Sequence, residues 1–239
     1  MVHPLDDPVR SALTGPHAHL AQRCGRILRY PPDVLRFIAI PDPPTAVDWA
    51  DVATLVGPEQ APVAGVVVLP PAGWKVTGVG PGLQLVTDRD QPRRPRTPPG
   101  TGPGDDVLTL GPADLPEIVE FVARHRNGRV FLPRTLELGV YLGIRRAGVL
   151  VAMAGERLRP VGWTEVSAVC TDPAHRRQGL AARLLDVLVS GIHRRGENAF
   201  LHVAEDNAAA LGLYEQFGFR LRRPITMAAV HIPGDRDLG

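Results

Sequence analysis

A strand-to-helix turn in the C-terminal half of the chain contains the residues best suited to binding an anion. The predicted strand before it stops at an Asp-Pro pair, and the next helix opens on RRQGLA at 176–181. Gly179 and Ala181 have little or no side chain, so a ligand can approach the unpaired backbone N–H groups of a helix start. These groups and the helix dipole favour a pyrophosphate, and Arg176 and Arg177 add positive charge.

Other phosphate-binding and catalytic motifs are absent from the sequence. There is no G-x-x-x-x-G-K-[ST], since the only lysine, Lys75, lies far upstream, and no G-x-G-x-x-G follows a predicted strand. The H-E-x-x-H and G-x-S-x-G patterns are also missing. Because helix starts of this kind also occur without a ligand, the turn alone leaves that alternative open.

A second group of polar residues lies in the stretch NAAALGLYEQFGF at 207–219. Asn207, Leu211 and Tyr214 are spaced i, i+4 and i+7, which puts them on nearly the same face of a helix. An amide and a phenol can then point into one cleft. The alternative is a core tyrosine whose hydroxyl is satisfied by a neighbour.

The strand before the turn contains the first candidate for a general base, Glu165. One face of this strand is predicted by alternation to carry Glu165, Ser167, Val169 and Thr171. The same alternation turns Cys170 away from Glu165 and favours a packing role for the cysteine over an acyl-carrier role. The alternative for Glu165 is a solvated carboxylate at a sheet edge.

His202, on the following strand, is the second candidate for the base. An imidazole can accept a proton near pH 7, although a half-buried structural histidine is the alternative. His17 and His19 are two residues apart, so they cannot share one helix face, and we expect solvated or capping roles for them rather than a metal site.

Hydrophobic periodicity and turn residues predict the elements that position these side chains. Helices are predicted at 15–28, 49–56, 115–125, 178–195 and 207–217. The fourth carries a buried stripe of Leu180, Leu184, Leu188 and Ile192, and Gly218 ends the last as a C-terminal cap. Strands are predicted at 34–40, 63–69, 83–86, 107–110, 140–144, 148–156, 163–171, 199–203 and 225–230. This order predicts the α/β class with an open mixed sheet that is covered on its faces and binds ligands at its strand ends.

Prolines and glycines divide the chain into two parts. They occupy eight of the thirteen positions of 92–104, so we predict an N-terminal α/β domain at 1–90, a linker at 91–105 and a second domain at 106–239. A solvated connector is the simplest interpretation of the linker. Its arginines at 93–96 leave open a contact with an acidic partner.

Composition excludes several classes of protein. The 27 basic and 25 acidic residues nearly balance, which gives no support to a nucleic-acid binder, and two cysteines are too few for a disulfide framework. The longest apolar stretch has about half the length of a membrane-spanning helix, so we expect no membrane association. These features predict a cytoplasmic protein.

Four features in this order resemble the GNAT superfamily of acyl-CoA-dependent N-acetyltransferases, in particular its glycine N-acyltransferase-like branch. They are the strand ending in VCTDP, the RRQGLA turn, the helix from Asn207 to Tyr214 and the FGF at 217–219. The resemblance covers about 106–230. It implies a GNAT fold in the C-terminal half and a degenerate GNAT-like N-terminal half, since no second R-x-x-G-x-[GA] occurs there.

The resemblance also implies a site for acetyl-CoA as co-substrate, with no metal. Backbone groups of Val169, Cys170 and Thr171 would pair with the pantetheine arm, and Asn207 would contact the cofactor. Tyr214 matches the residue that protonates the leaving thiolate. The pyrophosphate would lie on Arg177, Gln178, Gly179, Leu180, Ala181 and Ala182, with Arg176 beside it.

The reaction implied is direct attack of a primary amine on the acetyl thioester within a ternary complex. Relatives carry a catalytic glutamate at the position of Glu165 or an acid at that of His202, so the base remains open between them. Ala181 also departs from the more frequent glycine.

The acceptor is expected to be a small-molecule or peptide amine, and the N-terminal half is expected to cover it. The identity of the acceptor and the oligomeric state stay open. The alternative function is a non-catalytic acyl-CoA sensor.

Overall fold

The structure, a computed structural model, describes residues 3–57, 60–64, 70–88, 90, 106–125 and 130–232. The helices in these ranges are α1 (Pro8–Leu13), α2 (Ala46–Val56), α3 (Leu115–His125), α4 (Leu180–Arg194) and α5 (Ala208–Gln216). The strands are β1 (Gln22–Cys24), β2 (Ile27–Arg29), β3 (Ile38–Ala39), β4 (Gln60–Ala64), β5 (Lys75–Val86), β6 (Val107–Thr109), β7 (Tyr141–Arg146), β8 (Val149–Glu156), β9 (Trp163–Thr171), β10 (Asn198–Ala204) and β11 (Arg220–His231). The predicted linker at 91–105 and part of the predicted strand 63–69 lie outside the described residues.

Eight of the described strands form one mixed sheet, in the order β4-β11-β5-β10-β9-β8-β7-β6. Only β9 and β10 are parallel; every other neighbouring pair in it is antiparallel. Strand β5 precedes the predicted linker in sequence, yet it lies between β10 and β11. The α/β mixed-sheet prediction is confirmed, and both halves of the chain contribute strands to this sheet.

The two faces of the sheet are covered by different elements. On the first, called the α4 face, Leu184 and Leu188 of α4 pack on Val166 and Leu201 of the sheet. The predicted stripe of α4 is fully buried and comprises Leu180, Leu184, Leu188 and Ile192. The opposite face, called the α3 face, is covered by α3 and by N-terminal residues such as Tyr30.

The N-terminal half differs from the prediction at 15–28. Instead of a helix, this stretch contains a short 3-10 turn and then β1 and β2, which form an antiparallel hairpin. Gly25 at the hairpin turn has a φ of +51°, a conformation that glycine adopts without steric cost, and this turn interrupts any helix. Of the predicted strand 34–40, only Ile38–Ala39 is extended.

His17 is buried rather than solvated; it precedes the 3-10 turn at 18–20, but its side chain makes no capping hydrogen bond there. Its Nδ1 lies 2.8 Å from the Tyr30 hydroxyl, and its Nε2 lies 3.2 Å from the carbonyl oxygen of Leu138. Burial lowers the pKa of His17 to about 4, so the ring is neutral at pH 7. The ring connects the N-terminal half to the loop before β7.

Among the described residues, no helix is long and apolar enough to cross a membrane.

A backbone irregularity in β9 changes which side chains share a face. Ala168 has a φ of +54°, and the register between β8 and β9 shifts at this point, as in a β-bulge. Val166 and Val169 therefore both pack toward the α4 face, whereas Ala168 and Cys170 pack on the α3 face. The predicted grouping was wrong: Val169 and Thr171 lie on the face opposite Glu165, and Cys170 lies on the same face as Glu165.

The packing of α4 leads to a first prediction. Leu184 is 0% exposed, and we expect Leu184→Ala to lower the free energy of unfolding by about 2–5 kcal/mol through lost contacts and a cavity. Val187, on the same helix, is 39% exposed, so Val187→Ala is the matched control with a loss below about 0.5 kcal/mol. Urea denaturation followed by circular dichroism measures both, and equal losses would contradict the assignment of this face.

Candidate active site

Strands β9 and β10 separate partway along their length. They pair only where residues 198–200 lie beside 163–165, although β9 continues to Thr171 and β10 to Ala204. Each continues to pair on its outer side, β9 with β8 and β10 with β5. The two inner edges therefore border an opening between the faces of the sheet, called here the β9–β10 gap. Its edges carry backbone N–H and C=O groups suited to an extended ligand.

The turn from β9 to α4 lies at the wide end of this gap. Asp172 accepts a hydrogen bond from the Ala174 N–H at 2.8 Å, which fixes the start of the turn. Two residues then adopt the left-handed conformation, Arg177 with a φ of +60° and Gly179 with a φ of +78°. Gly179 is the residue before α4, so the first N–H groups of that helix, from Leu180 onward, have no partner within the helix.

Side chains around this turn are mostly positive. Arg176 and Arg177 are exposed, and the Nε of Arg176 donates to the Thr171 carbonyl at 3.3 Å. Arg146, at the end of β7, donates to the Gln178 side-chain oxygen and lies 3.3 Å from Nδ1 of His175. Arg146 was missed from the sequence because it reaches the turn from a distant strand.

One buried polar atom beside the gap has no partner. The Thr171 hydroxyl oxygen is inaccessible and makes no hydrogen bond. A buried hydroxyl without a partner is costly and is a natural contact for a polar ligand. Together with the strand edges and the helix start, it fits a ligand with an amide-containing arm and a pyrophosphate.

The amide predicted from the sequence lies at the residue before helix α5, and the phenol lies within the helix. Asn207 is exposed and caps the helix, since its side-chain oxygen accepts from the Ala210 N–H at 3.2 Å. Tyr214 is buried against the α4 face, with its ring centroid 5.7 Å from that of Phe219. Gly218, with a φ of +81°, follows the end of the helix as expected.

Glu165 is fully buried on the α3 face and makes a two-pronged ion pair with Arg157. The Arg157 Nε and Nη2 atoms donate to the two carboxylate oxygens at 2.8 and 2.6 Å. Burial by itself would raise the pKa of Glu165, but the charge and hydrogen bonds of Arg157, with those of His202, outweigh it and lower the pKa to about 2. Glu165 is therefore a fixed anion and a poor proton acceptor.

His202 connects Glu165 to the N-terminal half. Its Nδ1 lies 2.8 Å from a Glu165 oxygen, and its Nε2 lies 3.0 Å from the side-chain nitrogen of Gln84 on β5. Arg222 on β11 donates to the Gln84 oxygen at 2.7 Å. Sequence reasoning missed Arg157, Gln84 and Arg222; the only signal was a lone glutamine within the apolar run of β5.

The candidate residues thus occupy both faces of the sheet. The Glu165–His202 pair lies on the α3 face, Tyr214 lies on the α4 face, and the gap separates the strands that carry the pair.

Cys170 packs on the α3 face, where its thiol lies 3.9 Å from the His125 carbonyl. Within the part of the chain that the structure describes, no cluster of three or more His, Cys, Asp or Glu side chains is arranged to hold a metal ion.

Known proteins match this fold and the part of the sequence that contains this turn. The family model of FR47-like proteins matches residues 141–227, which contain the gap, the turn and α5. A solved structure assigned to the GNAT family of acetyltransferases, from Novosphingobium aromaticivorans DSM 12444, matches with a TM-score of 0.82 and 36% identity, over 96% of this chain and 98% of that one. Fold and sequence thus match a mixed-sheet α/β protein of the GNAT family of acetyltransferases. The chain belongs to the GNAT family.

Curated relatives match shorter parts of the chain. The N-alpha-acetyltransferase RimI of Mycobacterium tuberculosis (strain ATCC 25618 / H37Rv) is 41% identical over 34% of this chain and 51% of its own length. An uncharacterized protein of Mycobacterium leprae (strain TN) is 30% identical over 74% of this chain and 54% of its own length. The chain spans about half the length of these two relatives.

The buried ion pair leads to a second prediction. The pKa of Glu165 is lower in the folded protein than its ordinary value of 4.5, so the pair stabilises the fold above about pH 4.5 and this stability is lost as the pH falls toward 2. Glu165→Gln is expected to cost about 3–5 kcal/mol at pH 7, because it leaves Arg157 buried and unpaired. The difference in the free energy of unfolding between wild type and Glu165→Gln, measured by urea denaturation, should narrow between pH 5 and 3. A constant difference across this range would contradict the ion pair.

Proposed function

We propose that this protein transfers the acetyl group of acetyl-CoA to a primary amine, by direct attack within a ternary complex. The observation that carries the proposal is the β9–β10 gap, which ends at the uncapped start of α4. Membership of the GNAT family supports it, as does the name of the RimI relative, an N-alpha-acetyltransferase. The order of the VCTDP, RRQGLA and FGF motifs supports the narrower proposal of a glycine N-acyltransferase-like branch.

We assign the cofactor to the gap and the turn. The strand edge at Val169, Cys170 and Thr171 is suited to pairing with the amides of a pantetheine arm, and the Thr171 hydroxyl supplies a further contact. The pyrophosphate is assigned to the N–H groups between Arg177 and Ala182, where the helix dipole and the arginine charges favour an anion. The amide nitrogen of Asn207 is available to the cofactor, because its oxygen already caps α5.

Acetyl-CoA supplies the electrophilic thioester carbonyl and the leaving thiolate. In the proposed reaction a C–N bond forms as the C–S bond breaks, and an ammonium acceptor must lose two protons. Nε2 of His202 accepts the first, which leaves the amine lone pair free to attack. The Tyr214 hydroxyl gives a proton to the sulfur and regains the second proton from the nitrogen. The products are the N-acetyl amine and the free thiol of coenzyme A.

The geometry changes the relative roles of the two candidate bases. Glu165 was the first candidate from the sequence, but Arg157 already occupies both of its oxygens. We therefore assign Glu165 the role of orienting His202 and stabilising its protonated form, and His202 that of the base. With the pair on the α3 face and Tyr214 on the α4 face, the amine would approach from one side of the gap and the thiolate would leave toward the other.

The cofactor site is tested by two glycine variants that carry the same backbone strain. Gly179→Ala adds a methyl group to the left-handed residue before α4 and should weaken coenzyme A binding by tenfold or more, about 1.4 kcal/mol. Gly162, with a φ of +77°, lies at the other end of β9 and has open space for a Cβ, so Gly162→Ala is the matched control. Calorimetric titration with coenzyme A measures both. Equal affinities of the two variants would place the cofactor elsewhere.

The acid is tested by a second pair of variants. Tyr214→Phe removes the proposed proton donor and should lower kcat by about 10²-fold or more, with the affinity for coenzyme A unchanged. Tyr141→Phe, at another buried tyrosine on β7, is the control and should retain kcat within about threefold. Thiol release from acetyl-CoA, with a panel of small amines, amino acids and peptide N-termini, is the assay. Tight coenzyme A binding without thiol release for any acceptor would instead indicate an acyl-CoA sensor.

A further inference from the structure

Gln84 is a buried amide in the centre of the sheet, and each of its polar atoms has a partner. It lies on β5 with 1% exposure, opposite His202 in the register of β5 and β10. Its side-chain nitrogen donates to the Leu5 carbonyl at 3.0 Å and faces the His202 Nε2 at 3.0 Å. Its oxygen accepts from Arg222 at 2.7 Å.

Two of these partners determine which way the amide points. A backbone carbonyl such as that of Leu5 can only accept, and a guanidinium such as that of Arg222 can only donate. The NH₂ group of Gln84 must therefore face Leu5 and the oxygen must face Arg222. Because the same NH₂ group faces His202, Nε2 of that ring must be an unprotonated acceptor.

The other ring nitrogen of His202 determines where the ring proton lies. Nδ1 of His202 faces the Glu165 carboxylate, which accepts hydrogen bonds and is held ionised by Arg157. A donor is required at this position, so the ring proton lies on Nδ1. The neutral His202 ring is thus held as the Nδ1–H tautomer, with its lone pair on Nε2.

We propose that Gln84 is a positioning residue of the active site, which keeps Nε2 of His202 unprotonated and ready to accept the proton of the acceptor amine. This inference rests on the proposed function. When the acceptor binds, its ammonium would replace the amide as donor to Nε2, since a charge-assisted hydrogen bond is about twice as strong as a neutral one. Gln84 would keep its bonds to Leu5 and Arg222, and only its N–H toward Nε2 would give up its partner to the stronger bond.

The inference makes the N-terminal half part of the catalytic machinery. Gln84 comes from β5, and the charged groups that surround the Glu165–His202 pair come from both halves of the chain. Glu165 and Arg157 lie on one side of His202, and Arg222, ion-paired with Asp6, lies beyond Gln84. A donor at position 84 faces an Nε2 that carries no proton, whereas an acceptor at position 84 would require a proton on Nε2.

The test exchanges the donor for an acceptor of the same shape. Gln84→Glu presents a carboxylate oxygen to Nε2 and retains Arg222 as a partner, so we expect His202 to carry protons on both nitrogens at pH 7. Turnover should fall at least tenfold, with coenzyme A affinity within twofold of wild type. Gln84→Met, of similar length and without a polar group, is the control for packing and should keep the neutral ring and more of the activity than Gln84→Glu.

The readout is the ¹⁵N NMR spectrum of ring-labelled histidine, with the His202 signals identified by their loss in His202→Asn. Wild type should show an unprotonated Nε2 and a protonated Nδ1. A protonated Nε2 in wild type, or the same ring state and the same turnover in Gln84→Glu as in Gln84→Met, would overturn the proposal. Because the wild-type spectrum does not depend on activity, a protein that releases no thiol would refute the proposed function while the spectrum still tests the role of Gln84.

Discussion

The separation of β9 from β10 after Glu165 and Phe200 is the constraint on which the rest of the site depends. Two parallel strands in the middle of a sheet normally satisfy each other's backbone groups along their whole length. Here the two strands pair with each other only at 163–165 and 198–200, and beyond these residues each continues to pair only on its outer side. The inner edges beyond Glu165 and Phe200 therefore form no strand pair, and they border the only parallel junction of the described sheet.

Two features keep the strands apart. The bulge at Ala168 redirects the end of β9, so that Val169 packs toward α4 and Cys170 packs toward α3. On the other side, β5 pairs with β10 as far as Ala204 and holds that strand within the sheet. The N-terminal half therefore shapes the site through its strand as well as through Gln84. The proposed acid on one face and the proposed base on the other can act on one ligand only if that ligand passes between the strands.

Local patterns predicted the elements of the C-terminal half well. They did not predict strand neighbours and side-chain partners that are far apart in the sequence. The bounds of β9 and α3, the buried stripe of α4 and the glycine after α5 follow from periodicity and turn chemistry that neighbouring residues alone determine. The bulge at Ala168 has no such signature, because alanine has no preference for a positive φ. The place of β5 between β10 and β11, and the partners Arg157 and Gln84, depend on residues far apart in the sequence. Glu165 is the first candidate base from the sequence, and its ion pair with Arg157 is the reason that we propose an orienting role for it instead.

A crystal structure of the protein with coenzyme A bound is the most direct measurement of the central claim. The account predicts the pantetheine arm between β9 and β10, hydrogen-bonded to backbone groups of residues 169–171, with the pyrophosphate at the N–H groups that follow Arg177 and the sulfur near Tyr214. Coenzyme A bound outside the gap, or β9 and β10 paired along their full length with the ligand present, would contradict it.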